Sequence, residues 1–230
     1  MDTVLVVGAG VVGAAAAREL APDHEVVLVD RDQVAAGATA KASGLISPQY
    51  DLNDHLDAAS YALDAFRELD GTGHFEDTER RGVSLVREDE LAADRRMVER
   101  AREADLGAEL YDVEAAADLL PDAFDLSPFA AVAVYDEGGW VDSYTLATTF
   151  LAAAEADGAD VLTGRSVEGV RVEDGRIAGV TTDAGPIDAD HVVVAAGWRS
   201  RDLLADVLDV PVRLGARDAA LLAPHPRRGP

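Results

Sequence analysis

Residues 4–30 read VLVVGAGVVGAAAARELAPDHEVVLVD, and the reading of this stretch decides the fold. Val4 to Val7 form an unbroken β-branched and aliphatic run, the composition of a parallel strand buried on both faces. GAGVVG follows at once and places glycines at Gly8, Gly10 and Gly13. Ala14 to Leu20 have high helix propensity, and Pro22 with Asp23 stops the helix. EVVLVD is a second buried strand, and it closes on an acid, Asp30.

Each part has a physical task. Gly8 permits a tight turn, Gly10 lets the backbone approach a pyrophosphate, and Gly13 lets the helix pack closely on the strand. The helix N-terminus offers free N–H groups and a partial positive charge to phosphates. Asp30 can accept hydrogen bonds from ribose hydroxyls and would repel a 2′-phosphate. Glycines at strand–helix turns also serve packing alone. Here they follow a strand, open a helix and meet an acid at the dinucleotide-binding distance, which are the contexts that favour a nucleotide.

In an NAD-type domain the helix–strand alternation would continue directly. Instead the chain enters RDQVAAGATAKASGLISPQY (31–50), a long loop poor in large side chains that holds Lys41, the only lysine of the sequence. Long irregular loops inside compact domains are usually functional. An amphipathic helix is expected over residues 52–69, with Leu56, Ala59, Ala62, Leu63, Phe66 and Leu69 on its apolar side. Further on, a helix over 143–156 and a short strand over 160–163 precede SVEGVRVEDGRIAGVTTDAGPIDA, a meander that turns at Asp174 and Gly175. DHVVVAAGWRS (190–200) is a buried strand ending in small residues.

Taken together, GAGVVG, Asp30, the loop GATAKASGLI, the segment GGWVDSYTLATTFLAAAEADGADV and the turn VVVAAGWRS resemble the FAD-dependent oxidoreductases of the D-amino-acid oxidase superfamily. Glycine oxidases, sarcosine oxidases and dimethylglycine dehydrogenases belong to that superfamily, and the likeness extends over about residues 1–212. It implies an α/β fold: a doubly wound Rossmann-type FAD-binding domain in discontinuous pieces, with a partial inserted α+β substrate domain. The expected division is 1–70 and 139–212 for the FAD-binding domain, 71–138 for the substrate domain, and 213–230 for an atypical tail.

The resemblance also implies residue roles. Gly8, Gly10, Val11, Val12 and Gly13 would cradle the FAD pyrophosphate. Asp30 and Arg31 would sit at the adenosine ribose and adenine edge, where relatives often carry glutamate in place of Asp30. Ala38 and Thr39 would touch phosphate or ribityl oxygens, and Ser43, Gly44 and Leu45 would lie along the isoalloxazine ring. Val167 would meet adenine through its backbone, while Ala196 and Gly197 would close over the pyrophosphate from the other side.

Lys41 has two readings: a cation near the reduced flavin that tunes its potential, or a side chain pointing to solvent or phosphate. Some relatives attach FAD through histidine or cysteine. This loop has neither, so noncovalent FAD is expected. The implied activity is oxidation of an amine or amino acid at the C–H next to nitrogen. Two alternatives stay open, a catalytically inactive nucleotide-binding fragment and an NAD-dependent dehydrogenase. No acid–base residue can be named.

In the substrate region, RRGVSLVREDE reads as a strand leading into a helix over 91–104, and AVAVYDEGGWVD as a returning strand. Tyr135, Trp140 and Tyr144 could face a substrate, but large aromatics near a corner more often belong to a core. Residues 211–230 carry four arginines and four prolines against one aspartate. The family-like strand alternation stops after Arg213, which favours a truncated or frame-shifted continuation over a natural basic tail. A second polypeptide completing the substrate domain is a conceivable partner.

Composition sets outer limits. With 44 acidic and 20 basic residues the formal net charge is −24, so nucleic acid and anionic lipid surfaces are poor partners. The longest uncharged run, 3–17, is too short for a membrane span and lacks a basic flank, so a cytoplasmic location is expected. The sequence has no cysteine, and its five histidines show no metal-ligand spacing. Single-sign charge of this size reads as a halophile-like surface. At about 1 M salt the Debye length is only roughly 3 Å, which screens carboxylate repulsion. The expected result is a melting temperature that rises between dilute buffer and molar KCl; equal values in both would refute the salt adaptation.

Overall fold

The structure is a computed structural model that describes residues 1–47, 55–121 and 124–211. In chain order its strands are β1 (Thr3–Val7), β2 (Glu25–Val29), β3 (Leu45–Ile46), β4 (Thr78–Glu79), β5 (Gly82–Val86), β6 (Ala108–Asp112), β7 (Ala131–Tyr135), β8 (Gly139–Trp140), β9 (Asp160–Leu162), β10 (Val167–Glu173), β11 (Arg176–Thr182), β12 (Gly185–Asp188) and β13 (His191–Val194). The chain divides into two compact units. One is Met1–Ser43 with the chain from Asp142 on, and the other is Gly44–Val141.

The first unit is built on a parallel sheet of order β13-β1-β2-β9. Strand β1 lies inside it, and its residues Val4 to Val7 are all buried, as the unbroken apolar run requires. Leu5 and Val7 pack with Val29, Val167 and Val180, the last two from the antiparallel meander β10-β11-β12. Val4 and Val6 point to the other face, where the helices Val11–Leu20 and Ser143–Ala156 pack against each other. Each fully buried aliphatic side chain contributes about 1.5–3 kcal/mol relative to exposure, so β1 anchors all three layers. This is a mixed α/β architecture of the Rossmann type, with helices on one face of the parallel sheet and the meander on the other.

Local signals explain the element ends. Asp142 caps the second helix, its Oδ1 accepting from the Thr145 N–H at 2.8 Å. Asp174 and Gly175 both take positive φ, 51° and 76°, which is the two-residue turn that matches hairpin twist. The first helix begins at Val11, earlier than the propensity run from Ala14, so Gly13 lies inside its first turn.

In the second unit an antiparallel sheet of order β5-β7-β6 packs Val86, Ala131, Ala133 and Tyr135 against Val98 and Ala101 of the helix Leu91–Glu103. Leu63, from the helix Leu56–Leu69, joins the same core. A small sheet β3-β8-β4 completes the unit. The entering and leaving segments run backbone to backbone: the Val141 N–H donates to the Gly44 carbonyl at 2.9 Å, and a Cβ on Gly44 would lie 1.8 Å from the Val141 carbonyl oxygen.

Two expectations change here. The boundary expected after residue 70 falls between Ser43 and Gly44, and Leu63 of the Leu56–Leu69 helix is buried with Val86 and Tyr135. The return boundary falls between Val141 and Asp142 and not at 138/139. The core reading of the three aromatics holds for Tyr135, which is buried, whereas Trp140 and Tyr144 are more than half exposed. The 213–230 tail and residues 48–54 lie outside the described residues.

Candidate functional site

The glycine turn after β1 is held from several sides at once. The Gly8 N–H donates to the Val29 carbonyl at 2.8 Å, and the Ala35 N–H donates to the Ala9 carbonyl at 2.9 Å. The Ala9 N–H donates to Asp30 Oδ2 at 2.6 Å, while Asp30 Oδ1 accepts from the Asp32 N–H at 2.8 Å. Gly8 takes φ 111°, and a Cβ there would sit 2.5 Å from the Ala195 carbonyl oxygen. A Cβ on Gly13 would lie 1.8 Å from the Gly8 carbonyl oxygen, so the helix can cross the strand end only at glycine.

Gly10 is the residue before the helix and supplies no side-chain cap. Thr39 does this from a distance: its Oγ1 accepts from the Val11 N–H at 3.0 Å, and its own carbonyl accepts from Ser143 Oγ at 2.7 Å. The small-residue loop is thereby pinned to the starts of two helices. The next N–H groups of the first turn have no intrahelical acceptor, and Val12 beside them is largely exposed.

The second turn arrives from β13, which pairs with β1 in parallel register, Val7 opposite Val194. Ala195 donates its N–H to the Val7 carbonyl at 2.8 Å, which brings Ala196 and Gly197 beside Gly8. Gly197 takes φ 58° with open space where a Cβ would stand. Trp198 and Arg199 follow, the guanidinium 6.0 Å from the indole centroid.

These segments enclose a cleft of about 360 Å³. Of the residues expected from sequence, Gly8, Gly10, Val11, Val12, Asp30, Arg31, Ala38, Thr39, Val167, Ala196 and Gly197 line it. Gly13 lies beneath the turn, as its packing task requires. Lys41, Ser43, Gly44 and Leu45 are not among the lining residues; Lys41 and Ser43 are exposed, and Gly44 and Leu45 belong to the second unit. The smallness of Gly44 is explained by the Val141 crossing.

Sequence reasoning missed Asp32, Ala42, Arg165, Ser166, Trp198, Arg199 and Leu203, which also line the cleft. Trp198 had a legible signal, a large aromatic directly after a strand-end glycine. Arg165 had none. Among the described residues no group of three or more His, Asp or Glu could hold a metal, and no helix is long and apolar enough to cross a membrane.

A helix N-terminus behind a glycine turn, a fixed carboxylate one strand away, and a second glycine turn over the same cleft define a dinucleotide-binding α/β protein. The chain belongs to the FAD dependent oxidoreductase family called DAO, whose pattern matches residues 3–229. It is 30% identical to the D-amino acid dehydrogenase of Cereibacter sphaeroides, over 91% of this chain and 62% of that protein. It is 29% identical to one subunit of the anaerobic glycerol-3-phosphate dehydrogenase of Escherichia coli K12, over 95% of this chain and 41% of that protein.

Among solved structures, L-proline dehydrogenase from P. horikoshii superposes with a TM-score of 0.81 at 23% identity, covering 89% of this chain and 55% of that one. Glycine oxidase from Geobacillus kaustophilus gives 0.74 at 23% identity, covering 90% and 59%. These likenesses establish the fold, and the chain spans about half the length of such relatives. FAD is the cofactor of the family, and the residues present fit its adenosine diphosphate half. The open space at Gly197 and the N–H groups of the first helical turn beyond Val11, which have no intrahelical acceptor, suit phosphates, and the fixed Asp30 carboxylate suits hydroxyl donors.

Proposed function

We propose that this chain holds FAD noncovalently as part of an oxidoreductase that oxidises an amino acid or amine at the C–H bond next to nitrogen. The observation that carries the reading is the meeting of the glycine turn and the β13 turn on one cleft, with Asp30 at the end of the neighbouring strand β2. The names of its relatives, a D-amino acid dehydrogenase among the curated proteins and a glycine oxidase and L-proline dehydrogenase among the structures, support the substrate class.

In this reading the N–H groups behind Gly10 and the backbone of Ala196 and Gly197 grip the two phosphates. Asp30 accepts from ribose hydroxyls and Val167 meets adenine. Thr39 fixes the loop that carries Ala38 toward the cofactor. Bound FAD supplies the acceptor for the hydride that leaves the substrate carbon. The resulting imine hydrolyses in water. A salt-rich cytoplasm suits the acidic composition.

The test is to purify the chain in molar KCl. Yellow protein that releases flavin on heating, with no flavin left attached to the polypeptide, is the expected result. Bleaching by glycine, sarcosine, D-amino acids or L-proline, and not by glycerol 3-phosphate, supports oxidation next to nitrogen. Bleaching by glycerol 3-phosphate alone overturns the substrate class. Colourless protein that takes up no added FAD overturns the whole reading.

A further inference from the structure

We infer that Arg165 lays its guanidinium plane against the adenine of bound FAD and so sets the protein's affinity for the adenosine half of the cofactor; this rests on the FAD reading above. Three observations lead to it. The first is position. The Arg165 N–H donates to the Asp30 carbonyl at 3.0 Å, and Val167, two residues on, lines the same cleft. Arg165 therefore stands at the Asp30 end of the cleft, the end that the reading gives to adenosine.

The second is charge. With 44 acidic side chains against 20 basic ones, an arginine in this protein has carboxylates in excess to pair with. Arg31, at the same end of the cleft, pairs with Asp32 at 3.0 Å, and Arg171 pairs with both Glu173 and Asp188. Arg165 is half-buried, lines the cleft, and has no carboxylate within ion-pair distance among the described residues. Arg199, the other half-buried arginine of the cleft, lies 6.0 Å from the Trp198 ring centroid. Among the described residues Arg165 is therefore the half-buried cation of the cleft with neither a carboxylate nor a ring against it, and a ligand face can take that place.

The third is chemistry. The adenosine end offers no phosphate, and its ribose hydroxyls are served by the Asp30 carboxylate. What remains is the π face and ring nitrogens of adenine, and a planar guanidinium stacks on such a face in a way an ammonium does not. Contact stacking also persists where the Debye length has shrunk to roughly 3 Å, whereas attraction at longer range is lost.

The experiment compares wild type, Arg165→Ala and Arg165→Lys in molar KCl. FAD is titrated by quenching of its fluorescence, ADP by competition, and FMN as the ligand without adenosine. Arg165→Ala is expected to weaken FAD and ADP about tenfold and to leave FMN unchanged. Arg165→Lys, which keeps the charge and the stem, is expected to lose nearly as much, and it carries the test if the alanine variant does not fold. Unaltered FAD and ADP binding in both variants overturns the inference, as does equal weakening of FMN. Full recovery by lysine overturns the stacking contact. Failure of the wild type to bind either FAD or ADP overturns the FAD reading and this inference together, whereas a binding wild type with unaltered variants overturns the inference alone.

Discussion

Gly13→Ala is expected to be among the most damaging single methyl groups that can be added to this protein, and the one that strikes the cleft turn directly. The new Cβ would stand 1.8 Å from the Gly8 carbonyl oxygen and 3.0 Å from its carbonyl carbon, so the obstacle is backbone and not a side chain that can swing away. The Gly8 peptide is itself fixed, its N–H on Val29 and the Ala195 carbonyl oxygen 2.5 Å from where a Gly8 Cβ would stand. The helix must therefore lift from the end of β1. Lifting it uncovers Ala14 and Ala17, both fully buried now, and pulls the Val11 N–H from Thr39.

Overpacking in a fitted core costs about 1–3 kcal/mol and sometimes more; with backbone on both sides of the clash, about 3 kcal/mol or more is expected. That is a large share of a total that is about 5–15 kcal/mol for ordinary proteins. For a chain of this size it lowers the melting temperature by roughly 6–12 °C. FAD affinity should fall with it, because the N–H groups that face the phosphates move with the helix. Gly169→Ala is the control. It lies in β10 with nothing within 4 Å of the new methyl group, so its effect should stay within about 0.5 kcal/mol. A Gly13→Ala variant that melts within about 2 °C of wild type would show that the helix is not seated on the strand as described.

The same contrast shows which parts of the molecule the sequence could reveal. The β1–turn–helix–β2 unit was legible because a buried run, three glycines and a terminal acid each have only one comfortable place in such a unit. The helix Ser143–Ala156 was legible because Asp142 caps its start and Gly158, with φ 97°, ends its last turn. The meander was legible from Asp174 and Gly175. In each case the signal is local: a side chain or a φ angle meets a need within a few residues.

What was not legible depends on long-range partners. Nothing around Ser43 and Gly44 looks like a linker, and the crossing with Val141 uses backbone groups that leave no trace in composition. The amphipathic face of the Leu56–Leu69 helix announces burial but not which core receives it, and its Leu63 joins Val86 and Tyr135. Within the cleft, Thr39 was expected near phosphate because the family suggests it. The local sequence cannot show that its hydroxyl caps a helix 28 residues earlier while its carbonyl holds Ser143. Arg165 comes to the cleft only because β9 pairs with β2 and delivers it to Asp30.

Asp30→Ala is expected to have the largest effect on cofactor binding. The carboxylate holds the turn and faces the nucleotide at once, with Oδ2 on the Ala9 N–H and Oδ1 on the Asp32 N–H, and each oxygen keeps a further lone pair for a ribose hydroxyl. Hydrogen bonds to charged groups contribute about 1.5–3 kcal/mol, so removing the acceptor should weaken FAD about 10- to 150-fold. The part-buried Ala9 N–H is left without an acceptor as well, which costs about 1–3 kcal/mol of stability. Asp30→Asn separates the two tasks. Its amide keeps one acceptor oxygen but turns an NH2 group toward the other N–H, so the turn loosens even though the shape is unchanged. Asp30→Glu restores the charge and the longer arm common among relatives; it should recover most of the FAD affinity while the melting temperature stays lowered, because the carboxylate moves off the turn. Fluorescence titration and thermal melts of the three variants read the two effects separately. If Asp30→Ala lowers the melting temperature but changes FAD affinity less than about threefold, well short of a charged hydrogen bond, the carboxylate serves the turn and not the ribose.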